Sequence, residues 1–147
     1  LLVGDGPLTE PLRELARTLG IADRVVFAGL REDVPQLLRL MDLFALASLN
    51  EGMGRVLVEA GACRLPSVAT RVSGIPDVIE EGVTGLLVDP ASPEQMSEAL
   101  MQLLEDPERA RRMGEAAYCK VVPAFGVEAM VERIEAVYQE VLAKKAR

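Results

Sequence analysis

Residues 43–60 read Leu43-Phe44-Ala45-Leu46-Ala47-Ser48-Leu49-Asn50-Glu51-Gly52-Met53-Gly54-Arg55-Val56-Leu57-Val58-Glu59-Ala60. Leu43–Ala47 is a short unbroken apolar run, the pattern of a buried strand, and it ends at Ser48. A polar loop with two glycines follows. A helix pattern then begins at about Arg55 and continues to Cys63. Strand, glycine loop and helix in succession open a βαβ unit, whose parallel strands are wound right-handed.

The same alternation extends in both directions. Upstream, Leu1–Val3 is a strand stopped by Gly4-Asp5-Gly6-Pro7. Thr9–Leu19 is a helix with Leu12, Leu15, Ala16 and Leu19 on one face, closed by Gly20. Val25–Gly29 is a second strand, and Asp33 caps a short helix carrying Leu37, Leu38 and Met41. Downstream, Ser67–Thr70 is a strand, Gly74-Ile75-Pro76 opens a brief helix ending near Gly82, and Thr84–Val88 is the last strand. From Ser92 the chain reads as helix. Ser92 and Gln95 form a capping box, Asp106-Pro107 starts a further helix, and the last begins at about Val127. Its stripe of Met130, Val131, Ile134, Val137, Tyr138, Val141 and Leu142 reads most simply as core packing. The expected fold is α/β: a Rossmann-like parallel sheet with helices on both faces, in one domain over residues 1–147.

Composition narrows the chemistry. The 147 residues carry 16 Lys+Arg against 23 Asp+Glu, a net charge of −7. That balance argues against a nucleic-acid surface, which needs clustered cations. The chain has no histidine, which removes imidazole acid–base chemistry and histidine metal sites. Cys63 and Cys119 are too few for a zinc cluster and read as small core residues of a reducing compartment. There is no signal peptide and no apolar run of about 18 residues to cross a membrane. The first lysine is Lys120, so an anionic ligand must be met by arginines, backbone N–H groups or helix N-termini.

In open α/β sheets ligands bind beyond the carboxyl ends of the strands, which directs attention to Ser48–Gly54. Gly52 and Gly54 let a ligand approach the backbone, and the helix start beyond them offers unpaired N–H groups to a phosphate. Glu51 at the loop and Glu59 in the second helical turn are acceptors for hydroxyl groups. A plainer reading stands beside this one. Glu51 can complement the helix dipole, and Glu59 can pair with Arg55 at i,i+4 for about 0.3–0.5 kcal/mol. Gly74-Ile75-Pro76 either directs N–H groups to a diphosphate or only shapes a helix start. Gly4-Asp5-Gly6-Pro7 is a tight turn rather than a full dinucleotide fingerprint.

Ser48-x-x-Glu51-Gly-x-Gly54-x-x-x-x-Glu59-Ala resembles the E-x7-E motif of the retaining glycosyltransferases of GT-B fold, the "glycosyl transferases group 1" family. Val3–Pro7, Asp23–Gly29, Asp33-Val34-Pro35, Leu65-Pro66, Val68–Thr70, Gly74–Asp77 and Gly82–Val88 occur in that family's order and spacing. The resemblance covers about residues 1–140. It implies a nucleoside diphosphate sugar as donor, transferred with retention to a glycan or lipid-linked acceptor, without metal or cofactor. Glu51 would take the catalytic position against the donor sugar. Gly4, Gly52, Met53 and Gly54 would approach the sugar and diphosphate, Glu59 the ribose, and Val56 and Leu57 the ribose and base. Gly29, Leu30 and Arg31 would flank the nucleobase.

The resemblance further implies an N-terminally truncated domain. An acceptor-binding N-terminal domain is a missing partner, as are the first strand of the donor domain and an Arg/Lys loop for the diphosphate. With that central strand absent, the lone chain is expected to rearrange, swap strands into a homodimer or bind the missing part. The fragment alone is expected to be inactive, in the cytoplasm or peripheral to the cytoplasmic membrane face. The rival readings are a non-catalytic nucleotide- or sugar-binding module and a nucleotide-sugar epimerase-like enzyme, the latter disfavoured by the absent histidine. Arg64 and Ser73 stand where the family has glycine, Gly61 sits inside a helix, and because the family's final helices also reach back to the N-terminal domain, part of the Met130–Leu142 stripe is expected to lose its partner here.

Overall fold

The computed structural model describes residues 1–145. The chain contains two compact units, Leu1–Val34 and a second that begins at Pro35.

The first unit contains helix α1, Thr9–Thr18, and a 3-10 turn at Ala22–Arg24. Its two expected strands are corrected to a single parallel bridge between Leu2 and Phe27. The hydrogen bonds Leu2 N–H to Val26 O, Ala28 N–H to Leu2 O and Gly4 N–H to Gly29 O, each 2.8 Å, are the whole of this ladder. Two segments with no third neighbour gain too few bonds to build regular strands. The Arg13 guanidinium lies 4.4 Å above the Phe27 ring and packs α1 over the bridge.

Helix α2, Val34–Leu38, leads into the second unit. There Phe44–Leu46 (β1), Ser67–Thr70 (β2) and Gly85–Val88 (β3) form a parallel sheet in the order β1-β2-β3. Phe44 pairs with Ser67, and Ser67 with Gly85. β1 is an edge strand, paired with β2 alone among the described residues. Between the strands run α3, Arg55–Ala62, and the single turn α4, Ile75–Val78; then come α5, Pro93–Glu105, α6, Pro107–Phe125, and α7, Val127–Lys145.

Strand alternation divides the core between two faces. Ala69 and Leu87 pack with Leu57 of α3, Ile75 and Val78 of α4 and Val121 of α6. Val68, Leu86 and Val88 face the other way, onto Ala99 and Leu103 of α5 and Ala110 and Met113 of α6. Helices therefore cover both faces of this sheet, as expected. α6 serves both clusters and runs on through Pro123.

Several local expectations are revised. Asp106 does cap α6, accepting from Arg109 N–H at 2.9 Å. The Ser92 capping box does not form; Gln95 turns back to Asp89, accepting from its N–H and donating to its carboxylate. Cys63 is half-buried and Cys119 exposed, so neither is a core residue. The α7 stripe is not core either: α7 buries no residue, and Ile134, Val137 and Val141 are exposed. Gly61 lies against Val121 and Ala117, so its missing side chain lets α3 and α6 approach closely as well as weakening the helix.

Arg64 and Ser73 both adopt left-handed backbone, with φ of 59° and 45°. Arg64 completes a Schellman closure of α3, with Leu65 N–H bonded to Ala60 O and Arg64 N–H to Gly61 O. Glycine would hold that position about 1 kcal/mol more cheaply. Arg64 recovers contact through its side chain, which bonds Glu115 at 3.0 Å and stacks 3.7 Å above the Tyr118 ring.

Candidate functional site

The loop after β1 is held on its inner side by the segment that follows β2. Buried Thr70, the last residue of β2, donates its hydroxyl to Ser48 O at 2.6 Å. Ser73 Oγ and Asn50 Oδ1 are 3.2 Å apart. Gly74 N–H donates to Gly52 O at 2.9 Å. Residues 48, 50 and 52 are thus fastened in turn to 70, 73 and 74. Gly74 N–H is thus bonded to the loop, and Ile75 N–H to Val72 O at 3.1 Å.

Within the loop, Ser48 Oγ donates to Glu51 Oε2 at 3.3 Å, and the Glu51 side chain is half-buried. Gly52 and Met53 are exposed. Gly54 is the N-cap of α3 with φ 72° and ψ 55°, a left-handed conformation that glycine adopts without steric cost. No side chain caps α3, so the N–H groups of its first turn keep no side-chain acceptor. Leu57 N–H is bonded to Gly54 O at 2.8 Å, which leaves the Arg55 and Val56 N–H groups at the positive dipole end, beside a half-buried carboxylate, to suit a ligand carrying both phosphate and hydroxyl groups.

Along α3 the expected residues separate. Val56 and Glu59 are half-buried. Leu57 is only 2% exposed and packs with Ala69, Ile75 and Val78, so its expected place against a ribose or base is corrected to the core. Among the described residues no ion pair joins Arg55 to Glu59, while Arg71 is held by Glu81 at 2.9 Å. Arg55, exposed at the first position of α3, is the cation nearest the helix start in sequence. No three His, Cys, Asp or Glu side chains cluster as a metal site among the described residues. None of the described helices is long and apolar enough to cross a membrane.

Gly4, Gly29, Leu30 and Arg31 belong to the first unit, where the Gly4–Gly29 hydrogen bond brings two of them together. Gly29 takes φ 65°, and Leu30 is 84% exposed. The Arg31 guanidinium grips Asp33 through two 2.7 Å hydrogen bonds. Those bonds hold the Asp33 carboxyl below its ordinary value. A carboxylate with a depressed folded pKa supports the fold above the ordinary carboxylate range and loses that support as pH falls through its folded value. The Asp33 carboxyl carbon should titrate below about 3.9 by NMR, and Arg31→Ala should return the midpoint upward. An unmoved midpoint would rule the pair out as the cause.

The sequence reading missed the roles of Thr70, Asn50 and Ser73 as ties to the loop. Their only signal was polar residues in buried or turn positions at the ends of apolar runs.

Comparison with known proteins identifies the family and the fold. The model of the family described as "Glycosyl transferases group 1" matches residues 1–120. The chain is 43% identical over 142 residues to the N-acetyl-alpha-D-glucosaminyl L-malate synthase of Bacillus anthracis, covering 97% of this chain and 37% of that protein. It is 33% identical over 144 residues to the lipopolysaccharide core biosynthesis glycosyltransferase LpsE of Rhizobium meliloti, covering 98% of this chain and 41% of that protein. The chain thus spans about two fifths of the length of these relatives. Among solved structures it is similar to Anabaena Alr3699/HepE in complex with UDP-glucose, with TM-score 0.88 and 31% identity over 95% of this chain and 40% of that one. The Rossmann-like α/β architecture expected from the sequence is the one these GT-B structures share.

Proposed function

The chain belongs to the glycosyl transferases group 1 family, and we propose that its Ser48–Glu59 segment binds the sugar and diphosphate of a nucleoside diphosphate sugar. In this reading Glu51 accepts hydrogen bonds from the donor sugar. The first-turn N–H groups of α3, with Arg55, meet the diphosphate. Glu59 accepts from the ribose hydroxyls. The longer protein then transfers the sugar with retention to its acceptor, and this chain alone does not. The observation that supports the reading best is the uncapped start of α3 directly beyond half-buried Glu51. The Anabaena structure with UDP-glucose favours uridine as the base.

The chemistry is one of placement. Charge that develops between sugar and diphosphate is stabilised by fixed donors and a carboxylate that need not reorganise. The proposal includes no metal, so chelation with EDTA should leave donor affinity unchanged.

The test is titration of the labelled chain with UDP, GDP, ADP and UDP-glucose, followed by amide NMR. Shifts at Gly52–Glu59, strongest with UDP, are expected. Glu59→Ala should weaken UDP binding about tenfold or more, the worth of hydrogen bonds to a charged acceptor. Glu51→Ala should leave UDP affinity within about twofold while lowering affinity for UDP-glucose. A well-dispersed spectrum that none of the nucleotides shifts would overturn the proposal.

A further inference from the structure

The carboxylate assigned above to the donor sugar sits on a loop, and a loop places a side chain only as well as it is itself held. We infer that Thr70 is the positioning residue for Glu51: its buried hydroxyl fixes the Ser48 carbonyl, and Ser48 in turn holds the Glu51 carboxylate toward the donor sugar. This inference rests on the proposed reading of Glu51.

The fixed end of the chain of contacts is β2. Thr70 is the last residue of that strand, pairs with Val88 of β3 and is 2% exposed. The next residue is anchored too, because Arg71 N–H donates to Val88 O at 2.7 Å. β-branching restricts χ1, so the hydroxyl has few other directions to take. It donates to Ser48 O at 2.6 Å. Ser48 lies two residues beyond the end of β1, where the sheet no longer supplies a partner for its carbonyl. Ser48 then uses its own hydroxyl to bond Glu51 Oε2 at 3.3 Å. The path from sheet to carboxylate is therefore two side-chain hydrogen bonds long.

The other two ties, Ser73–Asn50 and Gly74–Gly52, hold the tip of the loop. Ser73 and Asn50 are both exposed, so water competes for that contact. Thr70 is itself buried, and its hydroxyl is bonded to Ser48 O, so in this proposal its effect on binding runs through Ser48 and Glu51.

Thr70→Val keeps the shape and removes the donor, and Thr70→Ser restores it. Two readouts are compared in the 147-residue chain. The first is hydrogen exchange at the Gly74 amide, which is bonded to the loop at Gly52 O, against the Arg71 amide, which is bonded to the sheet. The second is the ratio of UDP-glucose to UDP affinity. Thr70→Val should speed Gly74 exchange about fivefold with Arg71 unchanged, and lower the affinity ratio about threefold or more, as expected for one lost hydrogen bond. Thr70→Ser should bring both back. Equal acceleration at Gly74 and Arg71 without rescue by serine would make Thr70 a general stabiliser and overturn the inference. So would an unchanged ratio in a chain that binds UDP. A parent chain that binds neither ligand would overturn the site reading itself, and this inference with it.

Discussion

Gly114→Ala is expected to lower the melting temperature of the second unit by roughly 10 °C or more, the consequence of a loss of about 3 kcal/mol. Gly114 is where α6 crosses the end of α3. A Cβ built there overlaps the Arg64 carbonyl oxygen, comes within 2.9 Å of the Arg64 carbonyl carbon and reaches Pro66 Cδ at 3.3 Å. These are backbone and ring atoms, not flexible side-chain ends. Arg64 cannot easily retreat, because its own N–H and that of Leu65 close α3. Relief must come from α6 moving outward. That movement also pulls Ala110, Met113, Ala117 and Val121, all buried, from the two clusters they complete. Gly82→Ala is the control. Gly82 has φ 75° but open space around it, so the exchange should cost only about 1 kcal/mol. Thermal unfolding by circular dichroism separates the two. A Gly114→Ala chain that melts with Gly82→Ala would show that α6 yields freely, contrary to this account.

Gly74→Ala is expected to weaken UDP-glucose binding about tenfold or more while leaving the core clusters folded. Gly74 has φ −83°, an ordinary value for alanine, so no backbone strain enters. The conflict is one of contact. A Cβ at this position overlaps the Gly52 carbonyl oxygen and lies 3.3 Å from Met53 Cα. The loop between Glu51 and Gly54 must move away, and the hydrogen bond from Gly74 N–H to Gly52 O is lost with it. Gly52 and Met53 are exposed, so the loop can move without opening the core. Binding should therefore fall further than stability, the reverse of the Gly114 result. Calorimetric titration with UDP-glucose and a melting curve on the same sample read both. Unaltered affinity would mean that the loop tip has no part in holding the ligand.

The fold of the second unit was legible because its signals are local. Ser67–Thr70 and Gly85–Val88 are short apolar or β-favouring runs closed by turn residues, and Asp106-Pro107 announces a helix start in two residues. The candidate loop stood out for the same local reason, two glycines between a strand and a helix start, although spacing alone did not separate a ligand loop from an ordinary turn. What the sequence left hidden depends on neighbours distant along the chain. Leu1–Val3 has strand composition, but a strand needs a partner on its flank, and among the described residues only Phe27 bridges it. The period of α7 identifies an apolar face without saying whether anything lies against it. Leu57 sits in the motif at a position that resembles a ligand contact, yet the same helical turn aims it at Ile75 and Val78. The ties from 70, 73 and 74 to 48, 50 and 52 join residues more than twenty apart, and no spacing rule reports them.

The strands of the sheet stand side by side in the order in which they are synthesised. Each crossover joins immediate neighbours, so no early strand waits for a late one to be inserted beside it. Pairings of low sequence separation form early, and a growing chain can close β1 on β2, then β2 on β3, as each emerges. α6 breaks this local pattern. It reaches back to α3, supplies Val121 to one face and Ala110 and Met113 to the other, and sits on the Arg64 corner through Gly114. The shortest piece of this unit expected to fold cooperatively therefore ends no earlier than Phe125, and ribosome-bound chains stopped before Pro107 should remain protease-sensitive even though all three strands have been made.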